Sequence, residues 1–394
     1  MKSRFLRLGP ALGLVLMLVL SACGDNTATT APAATTAAAT TQAAAATTAA
    51  SSTTAAAATT AAATTAAATT ASQSATTAAA ASNGPKTKLT IMVGGLSKQI
   101  YLPNMLTKQL GFFDQQGLDV TLVDEPSGQS SEEAVLAGQL EAGSGSYNHT
   151  IELQAAGKNM ECVVQLDIAP GEAEMVSAKE ADQIKSMSDL KGKNLGVTEL
   201  GSGTQTITTA LLSKVGIPGD QAHFIPVGAG DTFIAAMQQG RIDAGMTTEP
   251  TISRLLSTGV GKVLVDLRSP ESTQAALGAP YPFICVFMKN DYVNSHKDTV
   301  QKMVNAYVNT MKWIHTHSAD EIAAKMPADY YAGNKDLYVT ALKGQLGIFS
   351  PDGKMPQGGP ESVLNIENQT NQDVKGKKID LTLTYTNDFA SNAS

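Results

Sequence analysis

The residues best suited to chemistry sit in short stretches rich in glycine and hydroxyls: "SGQSS" at 127–131, "GSGTQ" at 201–205 and "TTEP" at 247–250. Glycine lets a backbone approach a ligand closely, and a helix that starts there presents unpaired N–H groups to an anion. The same residues can simply cap a helix, and for Ser127, Gln129, Ser130, Ser202, Thr204 and Gln205 both readings stand. Ligands of open α/β sheets lie beyond the carboxyl ends of the strands. That rule adds the turn Gly94–Ser97, with Gly95 and Ser97, then Ser146–His149, with Tyr147 and His149, then Gly228–Asp231 and Thr247–Glu249. Tyr101 begins the helix after the first strand, where its ring packs on a ligand or into the core. His149 is a pocket hydrogen bonder or a residue at a helix start. Thr248 and Glu249 end a strand, and the Glu249 carboxylate is expected to accept from a donor in the cleft or to stabilise the next helix. Lys98 is the one cation in these turns, which disfavours a ligand held by several salt bridges.

Other chemistries lack their residues. No Gly-Lys-Thr/Ser follows "GSGTQ", so it is not a P-loop. Five His are scattered and no Cys/His spacing suits zinc, so neither metal nor cofactor is expected. No nucleophile and base stand at a recognisable spacing, and catalysis is not expected. The formal net charge is −7. It is three units more negative without Lys2, Arg4 and Arg7, and this argues against nucleic acid as a partner.

The elements that must position these turns alternate. "KLTIMVGG", "LDVTLVDEP" and "ECVVQLD" read as strands separated by helices at "YLPNMLTKQLGFFDQQG", "SSEEAVLAGQL" and "HTIELQAAG". A second half repeats the plan, with strands "KNLGVTE", "AHFIPVG", "RIDAGMTTE" and "KVLVDLR". The unit "AVLAGQLEAGSGS" in the first half matches "AAMQQGRIDAGMTT" in the second: helix, glycine, acid, Ala-Gly, small strand end. Such alternation predicts parallel sheets with helices on both faces. "EAEMVSAKE" and "YPFICVFMKN" bracket the second half as two crossings, a hinge arrangement. Cys162 and Cys285 lie in apolar strand-like runs, where buried free thiols are common, although a bridge stays open.

The start of the chain concerns location. Met1–Arg7 is basic and Leu8–Leu20 is apolar but short for a membrane span, as in a secretory signal. Thr27–Ser82 is almost wholly Ala and Thr without a charge. It has too little apolar surface to offset chain entropy and reads as a disordered tether reaching on the order of 40 Å.

Leu20-Ser21-Ala22-Cys23 resembles the lipobox of bacterial lipoproteins, which implies lipidation of Cys23. Four further stretches resemble the solute-binding proteins of ABC importers in the sulfonate, nitrate, taurine and thiamin-pyrimidine-precursor group. They are "LPNMLTKQLGFFDQQGLDVTLV", "AVLAGQLEAG" with Glu141 where Asp is usual, "SMSDLKGKNLGV" and "DAGMTTEP". The resemblance is good from Lys86 to Asn290 and loose beyond. It implies an α/β, type II periplasmic-binding-protein fold of two doubly wound lobes joined by a two-segment hinge. It also implies a small polar solute in the cleft, permease and ATPase subunits as partners, and a lipid-anchored place on the extracytoplasmic side of the cell membrane. The expected organisation is a signal peptide at 1–22 and a linker at 23–85. Lobe 1 is then 86–178 with 283–394, and lobe 2 is 179–282. Two alternatives share the fold: a ligand-binding sensor lipoprotein, and an enzyme like the thiamin-pyrimidine synthases, whose cysteine-rich motif is missing here.

Overall fold

The structure, a computed structural model, describes residues 84–394. The expected signal peptide, Cys23 and the tether lie outside the described residues. Ten strands form two five-stranded sheets. The first has the order β2 (Leu118–Asp124), β1 (Thr87–Val93), β3 (Ala142–Ser146), β10 (Ile284–Lys289), β4 (Met160–Gln165). The second has the order β7 (His223–Pro226), β6 (Asn194–Val197), β8 (Ala244–Thr248), β5 (Glu172–Ser177), β9 (Gly261–Leu267).

The two sheets follow one plan. β1 pairs in parallel with β2 and β3, and β6 in parallel with β7 and β8. In each sheet the fourth strand is antiparallel to both neighbours: β10 in the first, β5 in the second. The repeated unit of the sequence therefore ends in β3 and β8, which hold the same place in their sheets.

Those two antiparallel strands also mark where the chain changes sheet. β5 hydrogen-bonds only within the second sheet, so the first passage is at residues 166–171, before the boundary expected after 178. Strand-like apolar sequence does not reveal its partner, which is why "EAEMVSAKE" read as a crossing. The return follows the helix Pro270–Leu277 and ends at β10.

Packing explains the small residues of β3. A Cβ on Gly143 would lie 2.5 Å from the Phe287 ring of β10, and all of Ile284–Met288 is buried. Cys162 and Cys285 are free and buried on neighbouring strands. The C-terminal region packs on both sheets' helices. Gly359–Thr370 lies against Asn148–Ala155 and Gly203–Lys214, while Lys335–Gln345 lies against Thr251–Ser257. The sheets are thus linked by more than the two passages expected from sequence. Among the described residues no helix is long and apolar enough to cross a membrane.

Candidate functional site

Both sheets aim strand ends and helix starts at one small cavity. From the first sheet come Tyr101, Ser127, Gly128 and Ser146, and from the second Thr198, Ser202, Gly203, Thr204 and Thr248. Lys98, Ile100, Glu172 and Phe283 complete the wall. The cavity is about 20 Å³, room for roughly one water. The two sides are in contact: a Cβ added to Gly203 would meet Phe283 at 2.7 Å and Ser146 at 3.1 Å.

Two helices begin at the cavity, Gly128–Leu136 from one side and Gly203–Lys214 from the other. Ser127 and Ser202 stand at their N-cap positions, yet neither side chain caps its helix. Ser127 Oγ donates across to Glu199 Oε2 instead, and Ser130 Oγ donates to the same atom at 2.7 Å. Ser202 Oγ donates to the Glu199 carbonyl at 2.6 Å and is 2.7 Å from Thr204 Oγ1. The first N–H groups of both helices are left to a ligand, with the positive ends of two dipoles meeting.

The charged wall is formed by Lys98 and Glu172. Lys98 Nζ donates to the carbonyls of Gly94 and Pro126, each at 2.6 Å. Burial lowers its pKa to about 8 against the pull of Glu172, Asp124 and Glu199. Glu172 is buried, its Oε2 lacks a partner, and burial holds its pKa well above the usual carboxylate range, against the pull of Lys98. Burial thus favours its neutral, protonated form, in which it can donate. Burial raises the Tyr101 hydroxyl well above the ordinary phenol value, so it too stays a donor.

Five of the expected residues thus meet at the cavity: Tyr101, Ser127, Ser202, Thr204 and Thr248. Gly95 and Ser97 line a separate open cleft of about 620 Å³ with Asp231 and Arg254. Ser130 bonds Glu199, and the Gln129 side chain lies over Gly201 and donates to Glu133 at 3.1 Å. Gln205 turns back to accept from the Gly201 N–H at 2.8 Å and lines a groove of about 610 Å³ between Gly203–Lys214 and Gly359–Thr370. Tyr147 points away from the cavity, with its hydroxyl 2.6 Å from Thr384 Oγ1.

Two expectations are corrected. Glu249 does not line the cavity. One oxygen accepts from Arg268 Nη1 at 2.9 Å and the other from the Ser253 N–H at 2.9 Å. It caps the helix Thr251–Ser257 within its own half, and Arg268, distant in the sequence pattern, satisfies its charge. His149 is fully buried beside Glu132 and Glu152 and does not line the cavity. Sequence reasoning missed Glu172 and Glu199. Glu172 sits in a strand whose side chains alternate, and the partners of Glu199 are about seventy residues earlier, so neither carries a local signal.

The sequence profile of the NMT1/THI5-like family matches residues 101–320. A solved structure from Bordetella bronchiseptica RB50 is 33% identical with a TM-score of 0.75, covering 78% of this chain and 97% of that one. The alkanesulfonate-binding protein of Xanthomonas axonopodis pv. citri bound to MOPS shares the fold at 18% identity and TM-score 0.59, covering 75% of this chain and 96% of that one. A protein of Escherichia coli (strain K12) named for binding aliphatic sulfonates is 29% identical over 37% of this chain, and the match spans 45% of that relative. The chain belongs to the NMT1/THI5-like family and has the periplasmic-binding-protein fold.

Proposed function

We propose that this protein is the extracytoplasmic solute-binding component of an ABC importer. It closes two lobes, one on each sheet, over a small polar solute with an anionic end and hands that solute to a permease driven by an ATPase. The observation that carries this reading is the pair of uncapped helix N-termini meeting from opposite sheets at one cavity. They favour a sulfonate or carboxylate oxygen cluster. Glu172 and Tyr101 supply donors without adding a second cation, so the bound group need not carry a high charge. The names of the relatives, which concern sulfonate binding, support transport over catalysis.

The cavity holds about one water in this closed form, so a solute enters only when the lobes part. The sensor reading has no observation of its own here. Lipid on Cys23 would keep the domain at the membrane surface, with the Ala/Thr tether as spacer.

A panel of alkanesulfonates, taurine, nitrate, small carboxylates and aminopyrimidines, screened by thermal shift, tests the proposal, because a ligand of the native state raises apparent stability. An organic anion should raise the melting temperature, and Tyr101→Phe should reduce that shift. Stabilisation by no member, or an equal shift in wild type and Tyr101→Phe, would overturn it.

A further inference from the structure

Beside the solute cavity, on the helices of the first sheet, one imidazole is held between two carboxylates. His149 Nδ1 lies 3.3 Å from Glu132 Oε2 and 3.2 Å from Glu152 Oε2, and the three donor atoms fall within 4.8 Å of one another. His149 is fully buried and Glu132 is 5% exposed. Glu132 Oε2 points into the cluster without a hydrogen-bond partner. Glu367, from the helix Gly359–Thr370, is fully buried near Glu152 and neither of its oxygens has a partner.

We propose that Glu132, His149 and Glu152 form a binding site for a divalent transition-metal ion of the zinc type, distinct from the solute cavity. Bonds of about 2.0–2.1 Å to a tetrahedral ion place neighbouring donor atoms about 3.3 Å apart. Nδ1 already stands at that distance from both carboxylates. The remaining gap between the carboxylates closes by movement of Glu152, which is partly exposed on the groove toward Gln205 and Thr206. That groove gives the ion its route and leaves a fourth position for water. A mixed set of one imidazole and two carboxylates suits zinc better than magnesium, which prefers oxygen alone.

Charge points the same way. With the ring protonated, two carboxylates still leave the cluster one unit negative, and Glu367 adds to the deficit if ionised. A divalent ion displaces the ring proton and neutralises both ligands. The second oxygen of Glu152 accepts from Asn148 at 3.1 Å and Asn371 at 3.0 Å, an outer shell about which the carboxylate can pivot. The sequence hid the site because Glu132 reads as a helix-start acid and His149 follows it on another helix.

Full-length protein stripped with chelator and titrated with zinc chloride, by calorimetry and by metal analysis after gel filtration, tests this. About one equivalent should bind, and Glu152→Gln should weaken binding at least about tenfold. His149→Gln should abolish it, while changes at the exposed His223 and His296 should not matter. Glu152 is partly exposed, so its variant keeps the test decisive if the buried His149 variant does not fold. No uptake by wild type would overturn the proposal and leave a proton as the cluster's occupant. Uptake unchanged in Glu152→Gln and His149→Gln, or magnesium bound as well as zinc, would also overturn it.

Discussion

Ser130 of the first half and Glu199 of the second are joined by a hydrogen bond of 2.7 Å, and Ser127 donates to the same carboxylate oxygen. One acceptor therefore ties the start of a helix in one half to the turn before a helix in the other. A hydrogen bond to a charged group contributes about 1.5–3 kcal/mol, and less where water reaches it. Glu199→Ala should release the closed form and weaken the solute about tenfold, or about 1.4 kcal/mol. Calorimetry gives the affinity and solution scattering the dimensions. Unchanged values of both would make the contact incidental to closure.

Gly203→Ala tests the same closure sterically. The new methyl would meet the Phe283 ring at 2.7 Å and the Ser146 Cβ at 3.1 Å, across the cavity. It should hold the halves apart and cost solute affinity by at least about tenfold, while the melting temperature of the free protein changes little, since alanine suits a helix start. Full affinity in this variant would mean that solute binding does not need the contact.

Glu174 carries a pH dependence. Burial raises its pKa from 4.5 to about 8, although Thr208 donates to it at 2.8 Å. A carboxyl whose folded value is raised contributes stability that is whole below about 4.5 and is lost as pH rises toward about 8. Buried Asp167 and Glu172 act in the same direction. Glu174→Gln should flatten the fall in melting temperature between pH 5 and 8 and raise stability at pH 8 by on the order of a few kcal/mol. An unchanged pH profile would show that water reaches this carboxylate.

The proposed lipid anchor is a separate matter of chemistry at Cys23. Cys23→Ala should release the protein from membranes or stall its processing, as measured by fractionation and by the mass of the mature N-terminus. A variant that stays membrane-bound and is cut at the same place would remove lipid from the proposal.

Much of the architecture was legible. The alternation of apolar runs with helical stretches gave the strands, and the Ala-Gly repeat marked β3 and β8 as equivalent. Direction and partner were not legible for β5 and β10, because an apolar run reads the same whichever way it lies. The cavity was half legible, through glycines and hydroxyls at strand ends. Glu249 misled because a carboxylate at a strand end looks alike whether it faces a cleft or an arginine. Arg268 lies nineteen positions on, beyond any local pattern. Glu172 was passed over because only the sheet pairing shows which face of its strand meets the cavity.

The place of β10 has a consequence for how the molecule is made. This strand separates β3 from β4, yet it follows β4 by more than a hundred residues, with the whole second sheet between. A ribosome-bound chain that has reached Leu267 possesses every strand of the second sheet and only an open remnant of the first. The second sheet can then pair fully, whereas β3 and β4 wait with unpaired backbone edges. Such long-range closure slows folding and leaves sticky intermediates. Truncation before Ile284 should therefore yield aggregates rather than a smaller binding protein.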